Sequence, residues 1–140
     1  MSASASLTIS APPHEVWEVV TDFARYPEWD SGVLEIEGSA NPGGIVRMRS
    51  ELSADRMVRM RVTEVEEPHR LVLVGGLPLK LFRAERVFDI EPTKKGSRLT
   101  VTETAGGLLR PFVRVPPNVE ASFMAYCFGL QKEVKRRRRR

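Results

Sequence analysis

Val119, Phe123, Tyr126, Cys127, Leu130 and Val134 recur at steps of three or four near the end of the chain, with Glu120, Gln131, Lys132 and Lys135 between them. That spacing predicts a long helix with one wide apolar stripe, and such a stripe is stable only when something large covers it. Pro116-Pro117 bounds this helix, and Asn118 stands where a cap is needed. Most of the preceding chain alternates with a period of two, so the cover has to be a sheet.

The strands can be followed in order. Leu7 and Ile9 alternate with polar residues. Val33 to Glu37 is a short alternating run, and Asn41-Pro42-Gly43-Gly44 marks a turn. From Ile45 to Leu52, the side chains of Val46, Met48, Ser50 and Leu52 share one face, opposite Arg47, Arg49 and Glu51; Val58, Met60 and Val62 repeat the pattern against Arg59 and Arg61. Glu66-Glu67-Pro68-His69 turns the chain into Leu71 to Val74, and Gly75-Gly76-Leu77-Pro78 is expected to turn it again. Arg83 to Ile90 and Arg98 to Thr104 form a last hairpin, closed by Ala105-Gly106-Gly107. The sum is an α+β chain with a curved antiparallel sheet of about seven strands. Two short helical segments follow the first strand. Pro12-Pro13 opens one containing Val16, Trp17 and Val20, and Tyr26-Pro27-Glu28-Trp29 ends that region with large apolar surface.

With 140 residues, 41% of them hydrophobic, the chain has material for one core. Residues 1–134 are read as one domain. Its longest apolar runs, such as Leu71 to Val74, fall far short of a membrane span, and the Ser-rich start lacks an apolar signal core, so a cytoplasmic location without stable membrane insertion is expected. The formal charge of +4 is concentrated in Lys135 to Arg140; without those six positive residues the body carries −2. Residues 135–140 are therefore expected to form a disordered, solvated tail. An anionic lipid or nucleic acid is an alternative partner for that tail, but no nucleic-acid partner is expected.

Catalytic signals are sparse. His14 and His69 lie far apart without paired ligand spacing, so no metal site and no cofactor are expected. Cys127 sits on the apolar stripe, where a small buried thiol is the ordinary outcome. Gly43-Gly44, Gly75-Gly76 and Gly106-Gly107 fall at strand ends with no helix after them, which excludes a phosphate-binding loop and reads as turns. More is offered by Arg86 and Glu103. Strict alternation places Arg86 on the inner face with Ala84, Phe88 and Ile90, and Glu103 there with Leu99 and Val101. Two charges taken out of water must pair, or meet a polar ligand group. A register shift by one residue would instead return both to solvent.

The order of these segments resembles the START-like (SRPBCC, polyketide cyclase/dehydrase-like) superfamily. The match runs from Ile9-Ser10-Ala11-Pro12-Pro13-His14-Glu15-Val16-Trp17 and the Tyr26-to-Trp29 turn, through Val62 to Leu71, to Phe88-Asp89-Ile90-Glu91-Pro92 and Gly96-Ser97-Arg98-Leu99-Thr100. The resemblance implies a bacterial helix-grip protein in which a curved sheet wraps a long C-terminal helix over a hydrophobic cavity. It further implies binding, transport or sensing of a lipid, isoprenoid or polyketide, with a cyclase, aromatase or dehydrase as the alternative; a scaffold of this kind hosts both. The expected lining is Trp29, Met48, Ser50, Met60, Leu73, Arg86, Phe88, Val101, Glu103, Phe123, Met124 and Cys127, with Arg86, Glu103 or Ser50 orienting a polar end. For the alternative, Glu103, Arg86, Ser50 and Tyr126 are the groups within reach. Leu77 to Phe82 and Leu108 to Phe112 are apolar segments expected to close the entrance. Ligand identity and oligomeric state are left open.

Overall fold

The computed structural model describes residues 2–77, 79, 81–109, 111 and 118–139. Strand β1 (Ser2–Ile9) leads into helix α1 (Pro13–Thr21) and a 3-10 helix (Phe23–Glu28), followed by β2 (Val33–Glu37), β3 (Ile45–Ser50), β4 (Val58–Glu66), β5 (Arg70–Leu77), β6 (Phe82–Thr93), β7 (Gly96–Gly106) and helix α2 (Val119–Arg138). The seven strands form one antiparallel sheet in the order β1-β7-β6-β5-β4-β3-β2. β1 closes against β7, so the first and last strands lie side by side and the C-terminal helix can reach across the opening.

The inner face and the helix stripe make a single core. Val119, Phe123, Tyr126, Cys127, Leu130 and Val134 are all buried, against Ile9, Val46, Val62, Leu71, Phe88, Ile90, Leu99 and Val101 of the sheet. At about 1.5–3 kcal/mol for each large apolar side chain removed from water, this stripe is the main force holding α2 to the sheet. The hairpin register agrees with alternation: Arg86 faces Glu103, Phe88 faces Val101 and Ile90 faces Leu99.

Four local expectations differ from the structure. Gly75 and Gly76 are not a turn; they lie inside β5, paired with Ala84 and Arg83. A Cβ on Gly75 would come within 2.9 Å of the Arg59 carbonyl and 3.1 Å of Met60 Cγ, so the glycine makes room for the neighbouring strand. β3 ends at Ser50, and Leu52 sits in a 3-10 turn (Glu51–Ser53). Asn118 occupies the cap position of α2 with φ of 62° and makes no side-chain cap bond. Pro116 and Pro117, read as bounding that helix, lie outside the described residues, as do Pro78, Lys80, Arg110 and Phe112 of the two apolar loops and Arg140 of the tail.

The expected tail is the fourth. α2 continues through Arg138, and its last turns are tied to the body: Arg137 Nη2 is 3.1 Å from Asp22 Oδ2, Arg138 Nε is 3.1 Å from Glu15 Oε1, and Arg138 Nη1 donates to the Ser10 carbonyl at 2.6 Å. Like charges in a block repel, but Glu133, 3% exposed on the preceding turn, accepts from both Arg136 and Arg137 and removes the reason for fraying.

Candidate functional site

Between the inner sheet face, the 3-10 region and the first turns of α2 lies a pocket of about 50 Å³. Its walls come from β2 and β3 (Val33, Ile36, Val46, Met48, Ser50), from Leu73, Arg86, Phe88 and Val101 on the central strands, and from Ser122, Phe123 and Tyr126 on α2. Phe23, Tyr26, Ser31, Gly32 and Leu52 complete it. An apolar cavity of about 150 Å³ is enough for benzene. The space present therefore matches a few water molecules, and a larger guest requires side chains or α2 to shift.

Seven of the twelve expected lining residues meet the pocket: Met48, Ser50, Leu73, Arg86, Phe88, Val101 and Phe123. The other five do not line it, each for a packing reason. Met60 lies over Gly75 in the core. Cys127 is fully buried, and its thiol is pushed up to about 11 by burial, which makes it inert. Met124 packs partly buried against the core. Glu103 stands behind Arg86. Trp29 stacks behind the two tyrosines, with ring centroids 5.4 Å from Tyr26 and 5.5 Å from Tyr126, and its buried Nε1 has no partner among the described residues. Of the two apolar loops, Leu109 N donates to the Leu81 carbonyl at 2.7 Å, and none of their described residues lines the pocket.

Polar groups in the pocket are few and mostly engaged. Arg86 donates from Nε at 3.1 Å and Nη2 at 2.9 Å to a single oxygen, Oε1, of Glu103, and its guanidinium lies 5.0 Å from the Phe123 ring centre. Both side chains are mostly buried, at 18% and 16% exposed, so the pair resolves the cost of two isolated charges. Arg86 Nη1 has no partner among the described residues. Tyr26 Oη donates to the Val20 carbonyl, and its oxygen lies 2.7 Å from Tyr126 Oη. With the Tyr26 proton committed, Tyr126 is the donor between the two. Burial, the largest cause for each, holds both phenols protonated well above the ordinary tyrosine range. Ser31 is also spent, donating to the Tyr26 carbonyl at 2.6 Å and accepting from Val33 N at 3.1 Å. What remains for a guest is the free edge of Arg86, the Ser50 and Ser122 hydroxyls, and an acceptor lone pair on Tyr126.

Alternation on strands exposes the sheet side of this pocket but not the side built by Phe23, Tyr26, Ser31 and Gly32. The available sign is the aromatic spacing Phe23, Tyr26, Trp29 around Pro27 of the 3-10 helix, where the Tyr26 ring meets Phe23 edge-on at 5.4 Å and Tyr126 at 5.7 Å. The hydrogen-bond order makes a prediction about the two phenols. Tyr26→Phe strips partners from both the Val20 carbonyl and Tyr126, and is expected to cost about 2–3 kcal/mol in urea unfolding, whereas Tyr126→Phe removes one bond and costs about 1 kcal/mol. The reverse order would refute the assigned direction of donation.

Residues 1–132 match a family model described as polyketide cyclase / dehydrase and lipid transport. No curated protein matches the chain. Among solved structures, protein MLL2253 from Mesorhizobium loti superposes with a TM-score of 0.74 at 16% identity, over 97% of this chain and 98% of that one. TTHA0849 from Thermus thermophilus reaches 0.71 at 22% identity, with 97% and 98% covered. Norcoclaurine synthase from Thalictrum flavum gives 0.68 at 14% identity, with 96% and 92% covered. Identities this low show a shared fold.

Proposed function

The chain belongs to the polyketide cyclase / dehydrase and lipid transport family, and from that premise we propose that it binds an apolar small molecule of the lipid, isoprenoid or polyketide kind, whose one acceptor end, a carbonyl or carboxylate, meets Arg86. The observation that carries this reading is the guanidinium: among apolar walls, Arg86 is already neutralised by Glu103 yet keeps Nη1 uncommitted, so it can orient a polar end without bringing an unpaired charge into the core. Binding enlarges the pocket, and Phe123 over Arg86 is the side chain whose displacement opens the charged end.

Cyclase- or dehydrase-type chemistry in the same pocket would need a general acid or base aimed at the guest. Both phenolic protons are engaged inside the protein, and Glu103 is turned to Arg86, so the polar inventory favours binding over turnover.

NMR titration with a fatty acid and with an alkane of equal length tests the reading. Both are expected to shift residues of β3, β6 and the start of α2, the acid more tightly. Arg86→Leu, made alone and together with Glu103→Leu to avoid a stranded carboxylate, is expected to lower affinity for the acid by roughly tenfold or more, while Arg83→Ala on the opposite face changes nothing. Equal effects at the two arginines, or no shifts with either probe, would remove the proposal.

A further inference from the structure

Much of the positive charge at the end of α2 is neutralised. Arg136, Arg137 and Arg138 are spent on Glu133, Asp22 and Glu15. On the outer face of β3 and β4 the balance is reversed. Arg47 stands directly opposite Arg59, and Arg61, opposite Ile45, is on the same face two residues along β4. All three are exposed, and among the described residues none has a carboxylate within ion-pair reach. Three neighbouring acids are taken elsewhere: Glu35 by Arg49 at 3.3 Å, Glu64 by Arg70 at 2.6 Å and Glu85 by Arg83 at 3.0 Å. Glu37, in register with Arg47, makes no ion pair with it. Like charges directly opposite on a sheet are destabilising, so the fold gains nothing from this arrangement.

Two exposed apolar side chains lie at the Arg49 end of the same strands. Met57, in phase with Arg59 and Arg61 just before β4, is 37% exposed, and Leu34, at the bulge of β2, is 41% exposed. We propose that this outer β3–β4 face, centred on Arg47, Arg59 and Arg61, docks the protein on an anionic phospholipid surface. Clustered arginines gain from the negative potential of such a surface, and methionine and leucine side chains enter the boundary between headgroups and acyl chains. Nucleic acid fits less well: β2, β3 and β4 contain no aromatic residue on which a base could stack. The segment from Glu51 to Met57 joins this face to the pocket, because Leu52 lines the pocket while Met57 leads directly into β4. Docking here would bring the rim of the pocket toward the lipid, but it does not depend on what the pocket holds.

Co-sedimentation of the full chain with vesicles of phosphatidylcholine alone, and of phosphatidylcholine mixed with phosphatidylglycerol, is the test. Binding is expected only to the anionic vesicles and is expected to weaken with added salt. The triple variant Arg47→Gln, Arg59→Gln, Arg61→Gln should lose on the order of 100-fold in affinity with a circular-dichroism melt no lower than the parent's, since all three side chains are exposed and the opposed pair is relieved. Replacing the same residues by lysine should retain most of the binding. Absence of binding to anionic vesicles, full binding by the glutamine variant, or loss caused only by replacing Arg138 to Arg140 would each overturn the proposal. Arginine-dependent binding of duplex DNA without vesicle binding would overturn it in favour of a nucleic-acid face.

Discussion

Gly129→Ala is expected to destabilise the protein by about 2–3 kcal/mol, against the usual gain of about 1 kcal/mol for this change inside a helix. Gly129 is buried in the middle of α2, where the helix crosses the loop that follows Trp29. A Cβ there would sit well inside contact distance of the Asp30 carbonyl oxygen, 2.8 Å from its carbon and 3.2 Å from Asp30 Cβ. These atoms cannot retreat alone. Ser31 is fastened to the Tyr26 carbonyl and to Val33 N, and the Trp29 ring packs against both Tyr26 and Tyr126. Pushing the loop away would also move Ser31, Gly32 and Val33, which form one side of the pocket. The midpoint of urea unfolding should therefore fall, and amide shifts should spread through residues 29–33 and the facing turns of α2. A variant more stable than the parent would show that the close approach of helix and loop is absent in solution.

That glycine illustrates which parts of the molecule can be read without coordinates. A glycine in a strongly periodic helix is a visible sign of close approach, but what approaches cannot be named, because the loop after Trp29 is far away in the chain. Period-two alternation is a local property with a binary outcome, and it locates the inner face of β6 and β7 down to the pairing of Arg86 with Glu103. Alternation says nothing about position along a strand. Met60 and Met48 both point inward, yet one covers Gly75 in the core and the other lines the pocket. Cys127 and Tyr126 are adjacent on one stripe, yet only the tyrosine reaches the pocket. The pair Gly75-Gly76 looks like a turn from composition, since glycine serves tight turns and close strand contacts alike; the distinction lies in Met60 on the next strand. The arginine run after Val134 misleads for a related reason: block repulsion is visible in the sequence, but the compensating acids Asp22 and Glu15 belong to α1 and its end.

Glu133, which holds two of the same arginines, sets the second large effect, which depends on pH. Glu133 is 3% exposed and accepts hydrogen bonds from Arg136 at 2.8 and 2.6 Å and from Arg137 at 2.9 Å. The Arg136 bonds are the main cause, with Arg137 adding to them, of a carboxyl held at about 2 instead of the ordinary 4.5. A carboxyl whose folded value is depressed stabilises the fold above its unfolded value, and that stability is lost as pH falls through the folded one. Here the window runs from about 4.5 down to about 2. Arg136 is half exposed, so solvent reduces its share, and Glu133→Gln is expected to cost about 2–3 kcal/mol near neutral pH. The gap between parent and variant should be constant from pH 7 to about 5 and close progressively below 4.5; other carboxylates titrate in both proteins and cancel in the difference. Chemical denaturation at several pH values measures it. No gap at neutral pH would mean that the terminal arginines are solvated after all, and an undiminished gap near pH 2.5 would mean that Glu133 contributes by shape and not by charge. A gap that closes in this window places the Glu133 pairs with Arg136 and Arg137, and so the ordered last turn of α2, in solution.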